Sequence, residues 1–333
     1  MYAIQMTFLL ILFAFVCVFA GRKLNFPGRL LVLATGIILG NMQIDGVRLF
    51  PTPEKFAIGI MILASSILVF DVFSRLKYFD VLHDKAATFI IYSIVFNMLV
   101  FSLGSFFLGY TLIQGALLGI IISANSVIWY QKDHFLNDEW LISNALMILL
   151  VVAVAVPDPV GILISIGMGL LVGLLVFRLL HYSWHDKLSP YALLLTVIAT
   201  YSVTHLIGGS GIIAVASLAF LFGKVTIHSR KRLEEFSTSI SEFIELLLFI
   251  TLGTVIPFSL DALFTGVLLY AAYLLIRYFL LRDLGLTFNS PKGAMIGVAL
   301  LYLHFIGPAV FASITPIILS IMLISMTVST VAR

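Results

Sequence analysis

The segment from Gly115 to Pro159 reads GALLGIIISANSVIWYQKDHFLNDEWLISNALMILLVVAVAVPDP. It consists of two apolar runs joined by a short charged loop. Polar side chains interrupt both runs: Ser123, Asn125 and Ser126 in the first, and Ser143 and Asn144 in the second. Polar groups in hydrocarbon are costly unless they meet a partner or a water-filled cavity. Two such clusters on consecutive apolar runs therefore predict a site inside a membrane.

The composition of the whole chain indicates the same environment. Of its 333 residues, 61% are hydrophobic and 11% are charged, whereas a soluble domain has about 25% charged residues. The basic residues lie in loops between apolar runs, so the orientation of the protein in the membrane explains the excess of positive charge. No nucleic-acid partner is expected. The single cysteine, Cys17, excludes an intrachain disulfide and a cysteine metal site. No cofactor is expected.

Apolar runs near the roughly 20 residues that a bilayer requires predict thirteen membrane spans. Their approximate bounds are 2–20, 28–41, 56–73, 86–109, 112–130, 140–156, 160–180, 190–207, 211–223, 238–256, 261–281, 291–306 and 308–330. The first run resembles a signal peptide in length. Its charges, Arg22 and Lys23, follow the apolar run, which favours a retained helix with its N-terminus outside.

The distribution of basic residues tests this map. Of the 19 lysines and arginines, only Arg48 and Lys55 fall in the predicted external loops, and Arg277 falls inside a span. All the others lie on the predicted cytoplasmic side. This asymmetry follows the positive-inside rule. It predicts an all-α polytopic protein of the cell membrane, with a single membrane domain over 1–333, the N-terminus outside and the C-terminus inside.

A few more charged residues fall at apparent membrane depth. Three acids lie near predicted helix ends, where solvation or snorkelling explains them, and they are secondary candidates: Asp71, Glu242 and Glu245. Arg277 either snorkels to the cytoplasmic side or forms an ion pair with a carboxylate of another span. The isolated histidines, His205 and His304, are interpreted as hydrogen-bonded packing residues.

Five segments, taken in order, resemble the monovalent cation/proton antiporter superfamily, which includes sodium/proton antiporters and potassium-efflux relatives. They are RKLNFPGRLLVLATGIILG, ILVFDVFSRLKYFDVL, VTHLIGGSGIIAVASLAFLFGK, ELLLFITLGTVIP and NSPKGAMIGVALLYL. The third is the most specific, and the resemblance covers nearly the whole chain. Arg277 also falls where that family places an arginine in span eleven.

The resemblance implies an inverted-repeat fold in which spans five and twelve are broken and cross at the middle of the bilayer. A core transport part would comprise approximately 86–156 and 261–333, and a scaffold and dimerisation part approximately 1–85 and 160–256. The implied function is exchange of Na⁺ or K⁺ for protons by alternating access in a homodimer. The residues assigned to the ion path are Asn125, Ser126, Ser143 and Asn144, with Arg277 and Lys292 as core charges.

The chain departs from this family at one position. The family carries its transport aspartate in span six, and the best match here places Ala145 there, directly after Asn144; an alternative match places Ala153 there. Asp158 follows Asn144 by 14 residues, roughly 21 Å along a helix, so it cannot replace the aspartate directly. Glu139 corresponds to the family's glutamate that pairs with Arg277, with the spacing off by one.

Two functions remain open at this point. The first is a monovalent cation/proton antiporter-like transporter. The alternative is a degenerate homologue that lacks transport and acts as a regulatory or interaction subunit, or a passive transporter of another solute, since no titrating group is evident at the midplane. An enzyme is not expected, because no nucleophile–base pair, metal cluster or phosphate loop appears. An acidic side chain that reaches Asn125 and Asn144 would favour antiport.

Overall fold

A computed structural model describes residues 2–24, 26–44, 47–48, 50, 52–76, 85–125, 134–155, 157–182, 189–224, 230–288, 291–307 and 309–331. Two strands of two residues each, β1 (Gln43–Ile44) and β2 (Val47–Arg48), pair antiparallel. The remaining elements are helices: α1 (Tyr2–Lys23), α2 (Gly28–Asn41), α3 (Glu54–Arg75), α4 (Lys85–Phe107), α5 (Leu112–Ser123), α6 (His134–Ala155), α7 (Pro159–Tyr182), α8 (Ser189–Leu206), α9 (Gly211–Lys224), α10 (Arg230–Val255), α11 (Leu260–Leu281), α12 (Leu284–Phe288), α13 (Ala294–Phe305) and α14 (Thr315–Val331).

Each predicted span has a matching helix, and α12 is an additional short one. By length and composition, α3, α4, α7, α10 and α11 could each cross a membrane within the described residues. Shorter apolar helices are α2, α5, α9, α13 and α14, together with the part of α6 from Glu139 to Ala155. The predicted all-α, multi-pass architecture is confirmed.

The structure differs from the predicted spans mainly where helices are interrupted. Helix α5 ends at Ser123, whereas the apolar run continues to residue 130; residues 126–133 lie outside the described part of the chain. The predicted twelfth span becomes helical only at Ala294, where α13 begins; residues 291–293 are non-helical, and the short α12 ends before them at Phe288. Pro291 and Gly293 account for this, since proline has no N–H to donate and glycine is a poor helix former.

Close packing of α5 against α4 fixes where α5 ends. A Cβ atom on Gly115 would collide with the Phe101 backbone oxygen, and one on Gly119 would lie 2.5 Å from the Asn97 backbone oxygen. The two helix backbones therefore touch, as small residues spaced four apart allow. The side-chain amide of Asn97 also donates to Ser123 Oγ at 3.0 Å, which anchors the last turn of α5.

The helices pack in two groups. In the first bundle, α4 packs against α5, α6 and α11, and α14 packs against α5, α11 and α13. In the second bundle, α2 packs against α1 and α10, α3 against α8, α9 and α10, and α7 against α8 and α9. The two bundles touch where α13 meets α3 and α10, where α6 meets α3 and α9, and where α14 meets α2. The interrupted helices α5 and α12–α13 all lie in the first bundle.

Candidate functional site

The two helix interruptions meet at Asn125, which lies in extended chain just beyond α5. Its Oδ1 accepts from Lys292 Nζ at 2.7 Å and from the Tyr273 hydroxyl at 3.0 Å. Its Nδ2 donates to Glu139 Oε1, and its backbone oxygen accepts from Asn144 Nδ2 at 2.6 Å. Asn125 therefore joins side chains from α6, α11 and the segment before α13 in one buried network.

The ammonium group of Lys292 occupies the centre of this network. It donates to the Ile122 backbone oxygen, to the Ala124 backbone oxygen at 2.9 Å, and to Asn125 Oδ1. The Tyr273 ring lies beside it, 3.9 Å from Nζ to the ring centroid. Lys292 is fully buried. Among the described residues, the groups that contact the ammonium directly are neutral oxygens and an aromatic face.

The two carbonyl partners of Lys292 are groups that the end of a helix leaves exposed. The last four C=O groups of an α-helix have no intrahelical donor, and Ala124 already has extended backbone angles, φ −74° and ψ 138°. These carbonyls also form the negative end of the α5 dipole, which stabilises a cation there. The lysine reaches them because its own segment is held by a hydrogen bond from the Lys292 backbone N–H to Ser325 Oγ of α14, at 3.0 Å.

Arg277 and Glu139 form a buried ion pair beside Asn125. The guanidinium contacts both carboxylate oxygens, with Nη2 to Oε2 at 2.8 Å and Nη1 to Oε1. Arg277 is 1% exposed and Glu139 is 2% exposed. Snorkelling of Arg277 is therefore excluded in favour of the ion pair. Such a two-pronged arrangement is the strong form of an arginine–carboxylate contact.

Asn144 fixes the extended chain against α6. Its Nδ2 donates to both the Asn125 and the Trp140 backbone oxygens, at 2.6 and 2.7 Å. Ser143 Oγ lies 3.4 Å from the Asn125 backbone nitrogen, a long contact. Ala145 is buried among apolar residues. Of the predicted ion-path residues, Asn125, Ser143 and Asn144 are thus brought together, and Ser126 lies outside the described residues.

The secondary acids lie apart from this network. Asp71 is buried, not solvated as the sequence suggested: it accepts from Arg75 at 2.9 Å and from Ser237 Oγ at 2.9 Å. Glu245 forms an ion pair with Arg29 at 2.8 Å. Glu242, on the same helix as Glu245, is exposed.

Asp158 lies at the rim of a cavity at the other end of α6. The carboxylate is exposed and accepts from the Val160 backbone N–H at 3.1 Å, in the turn that begins α7. The cavity has a volume of about 160 Å³ and lies between this turn and the glycine-rich turn that joins α8 to α9. Its other polar lining groups are Tyr201, His205, Ser210 and Tyr302. A space of this size and polarity can hold several waters.

Sequence reasoning missed part of the site. Tyr273 was not proposed, although it lies one helical turn before Arg277 and so shares its face. The backbone oxygens of Ile122 and Ala124 have no signature in the sequence at all. The signal that could have located them is the combination of an asparagine directly after an apolar helix and a lysine between Pro291 and Gly293.

The oxygens gathered here are of the kind that bind alkali cations. Hard cations prefer carbonyl, amide and carboxylate oxygens. Among the described residues, no three histidine, cysteine, aspartate or glutamate side chains come together as a site for a transition metal. The chemistry available is therefore coordination of a monovalent cation by neutral oxygens, next to one amine that can gain or lose a proton.

Comparisons with known proteins bear on the fold. No family model and no curated protein matches the sequence. The structure does match that of the sodium/proton antiporter MjNhaP1 from Methanocaldococcus jannaschii at pH 8, with a TM-score of 0.68. The two sequences are 18% identical, and the match covers 99% of this chain and 94% of that one. The chain therefore has the fold of a sodium/proton antiporter, which confirms the predicted architecture.

Proposed function

We propose that this protein is a secondary transporter of the cell membrane that exchanges a monovalent cation, Na⁺ or K⁺, for protons. The observation that carries the proposal is the set of neutral oxygens at the meeting point of two interrupted helices, which is already occupied by a cationic group. Interrupted helices in transporters place helix ends and unpaired carbonyls at the substrate site. The antiporter fold supports the same proposal.

The packing of the helices supports an alternating-access mechanism. The first bundle carries every residue of the Asn125–Lys292 network, and the second bundle carries none of them. Movement of the first bundle against the second would expose the oxygens to either side of the membrane in turn. We propose that the second bundle is the scaffold, that it forms a homodimer, and that the cavity beside Asp158 is part of the access route on the outside.

The ion pair has a structural role in this proposal. Glu139 is an acid that reaches Asn125, but among the described residues Asn144 donates to backbone oxygens and not to Glu139, so the expected feature that would favour antiport, an acid that reaches both, is met only in part. Both of its oxygens are bound by Arg277, so it positions Asn125 and does not itself take up a free cation. Within the described part of the chain, Lys292 is then the charged group of the network whose hydrogen bonds all go to neutral oxygens.

One observation favours the alternative, a homologue that has lost transport. The position matched to the family's aspartate is an alanine, and the ammonium of Lys292 fills the oxygen set. A cation that never leaves would block the site permanently, and the protein would then serve as a regulatory or interaction subunit.

The test is cation-driven proton movement in proteoliposomes. The protein is reconstituted with a pH-sensitive dye inside, and pulses of Na⁺, K⁺ and Li⁺ are applied across a preset pH gradient, with empty liposomes as the control. The proposal predicts proton movement with at least one of these ions. A silent natural chain together with an active Ala145→Asp variant would overturn it in favour of a degenerate antiporter scaffold.

A further inference from the structure

We propose that Arg75 is a positioning residue for this site, and that its contact with Trp140 across the bundle interface holds the cytoplasmic end of that interface closed. Arg75 ends α3 of the second bundle, and Trp140 lies in the first two turns of α6 of the first bundle. The positive-inside pattern places both residues toward the cytoplasmic side. For its consequence in transport, this inference rests on the proposed function. The contact itself can be tested without transport.

The second bundle fixes the guanidinium of Arg75. Its Nε and Nη2 donate to Asp71 Oδ1 at 3.2 and 2.9 Å, and Nη2 also donates to Thr238 Oγ1 of α10 at 2.9 Å. Ser237 Oγ of α10 donates to the same carboxylate oxygen at 2.9 Å. Because α3 and α10 pack against each other, these bonds make the guanidinium part of the second bundle. It therefore stays with that bundle when the two bundles move.

The guanidinium also meets the first bundle, at the ring of Trp140. Arg75 Cζ lies 5.7 Å from the centroid of this ring, within the roughly 6 Å at which a cation and an aromatic face attract each other. Arginine and tryptophan are the favoured partners in such contacts. Helix α6 packs against the second bundle through α3 and α9. The contact therefore spans the interface at one of the places where α6 meets the second bundle.

Trp140 connects this contact to the oxygen site. Its backbone oxygen accepts from Asn144 Nδ2 at 2.7 Å, and the same nitrogen donates to the Asn125 backbone oxygen at 2.6 Å. Trp140 also directly follows Glu139, which accepts from Asn125 Nδ2. A displacement of Trp140 therefore moves both groups of α6 that hold Asn125. Through this path Arg75 acts on the site from the other bundle.

The opposite end of the interface is open in this structure. The cavity of about 160 Å³ beside Asp158 is lined by Tyr302 of α13, in the first bundle, and by Tyr201 of α8, in the second. Alternating access requires one end of the interface to close as the other opens. The structure thus corresponds to the state that is closed toward the cytoplasm. Opening on that side must part the Trp140 ring from Arg75, whereas the bonds from Arg75 to α3 and α10 stay intact.

The first test measures access to the interface on the full chain and needs no transport. A cysteine is introduced by Val72→Cys, at a buried position one turn before Arg75, in a Cys17→Ser background. Its rate of reaction with a water-soluble maleimide is measured in detergent in the presence of Trp140, Trp140→Phe or Trp140→Leu. Trp140→Leu removes the aromatic face but keeps the backbone oxygen that binds Asn144. Gel filtration checks that each variant is folded.

The matched control is Tyr191→Leu. Tyr191 of α8 packs against Phe236 of α10 with the ring centroids 4.9 Å apart, so this aromatic contact lies within the second bundle. We expect the introduced cysteine to react about two- to fivefold faster in Trp140→Leu, the shift that loss of one cation–π contact produces. Trp140→Phe should give an intermediate rate, and Tyr191→Leu an unchanged one. Equal rates with and without the Trp140 ring, or the same acceleration in Tyr191→Leu, would overturn the inference.

The second test compares the two sides of the membrane. In proteoliposomes of one orientation, the half-saturating cation concentration for proton movement is measured with the cation supplied from the external or the cytoplasmic face. A less populated state binds with an apparent affinity reduced in proportion. The ratio of external to cytoplasmic affinity should therefore fall about two- to fivefold in Trp140→Leu. A merely structural defect would leave this ratio unchanged, and an unchanged ratio would overturn the positioning role.

Failure of this inference and failure of the proposed function are distinguishable. Faster labelling in Trp140→Leu without proton movement in any variant would refute the proposed function alone. Proton movement with the same labelling rate and the same affinity ratio in Trp140→Leu as in the natural protein would refute the role of Arg75 alone. If Trp140→Leu does not fold, Trp140→Phe decides the question, and a labelling rate equal to that of the natural ring would then overturn the inference.

Discussion

Replacement of Glu139 by glutamine tests the buried ion pair most severely. The two carboxylate oxygens accept from Arg277 Nη1 and Nη2 and from Asn125 Nδ2. A glutamine keeps the shape but turns one acceptor into a donor, so that N–H groups face each other. It also leaves the buried guanidinium of Arg277 without the negative charge of the carboxylate. Breaking such a pair from one side costs about 3–5 kcal/mol.

We therefore expect Glu139→Gln to lower the apparent melting midpoint in detergent by roughly 5–10 °C. The matched control is Glu235→Gln, which makes the same chemical change at an exposed position of α10 and is expected to shift the midpoint by no more than about 1 °C. The measurement is a thermal unfolding curve for each purified variant at one scan rate, because unfolding of such proteins is often irreversible.

A second substitution separates loss of the pair from general disruption. In the double variant Glu139→Gln with Arg277→Met, the uncompensated positive charge is gone and the glutamine oxygen can still accept from Asn125. The double variant should therefore be more stable than Glu139→Gln alone, with a coupling of about 1–3 kcal/mol. A single variant as stable as the control, or a double variant less stable than the single one, would refute this account of the pair.

Three other substitutions test neighbouring parts of the account. Gly119→Ala should lower the melting midpoint by an amount equivalent to about 1–3 kcal/mol, because the added Cβ would collide with the backbone of α4. The control is Gly59→Ala, whose added Cβ meets nothing within 4 Å and should leave the midpoint unchanged. Equal midpoints for the two variants would contradict the close contact between α5 and α4. Asn125→Asp gives Lys292 a carboxylate partner that holds the ammonium on the oxygens. Binding of radiolabelled Na⁺ should therefore require a more alkaline pH than in the natural protein, and an unchanged pH dependence would count against this contact. Asp158→Asn should leave equilibrium binding unchanged, because the carboxylate is exposed and roughly 20 Å from the oxygen set; weakened binding would place it in the site.

The number and order of the helices followed from hydropathy because lipid imposes one requirement on every span. Each backbone polar group must be satisfied within the segment, so a long apolar run in a membrane is a helix. The positions at which helices are interrupted are harder to predict from hydropathy. The run that begins at Leu112 stays apolar past the end of α5, and hydropathy does not register where the carbonyls of Ile122 and Ala124 lose their helical partners.

In the site, too, the types of side chain could be read from the sequence, whereas their contacts in space and the main-chain oxygens could not. Arg277 and Glu139 are 138 positions apart, and only a three-dimensional structure places them against each other. Lys292 was recognisable as a core charge near a break, but its principal partners are main-chain oxygens, which every residue has. Asp71 shows the opposite error: its place near a helix end suggested solvation, yet Arg75 and Ser237 enclose it.

The most direct test of the proposed exchange is cation-driven proton movement in proteoliposomes at two membrane potentials. Proton movement driven by Na⁺ or K⁺ is recorded with the membrane potential clamped near zero and then at an inside-negative value, with empty liposomes as the control. We expect the natural chain to move protons with at least one of the two cations at both potentials. Absence of proton movement at both potentials would contradict the proposed function.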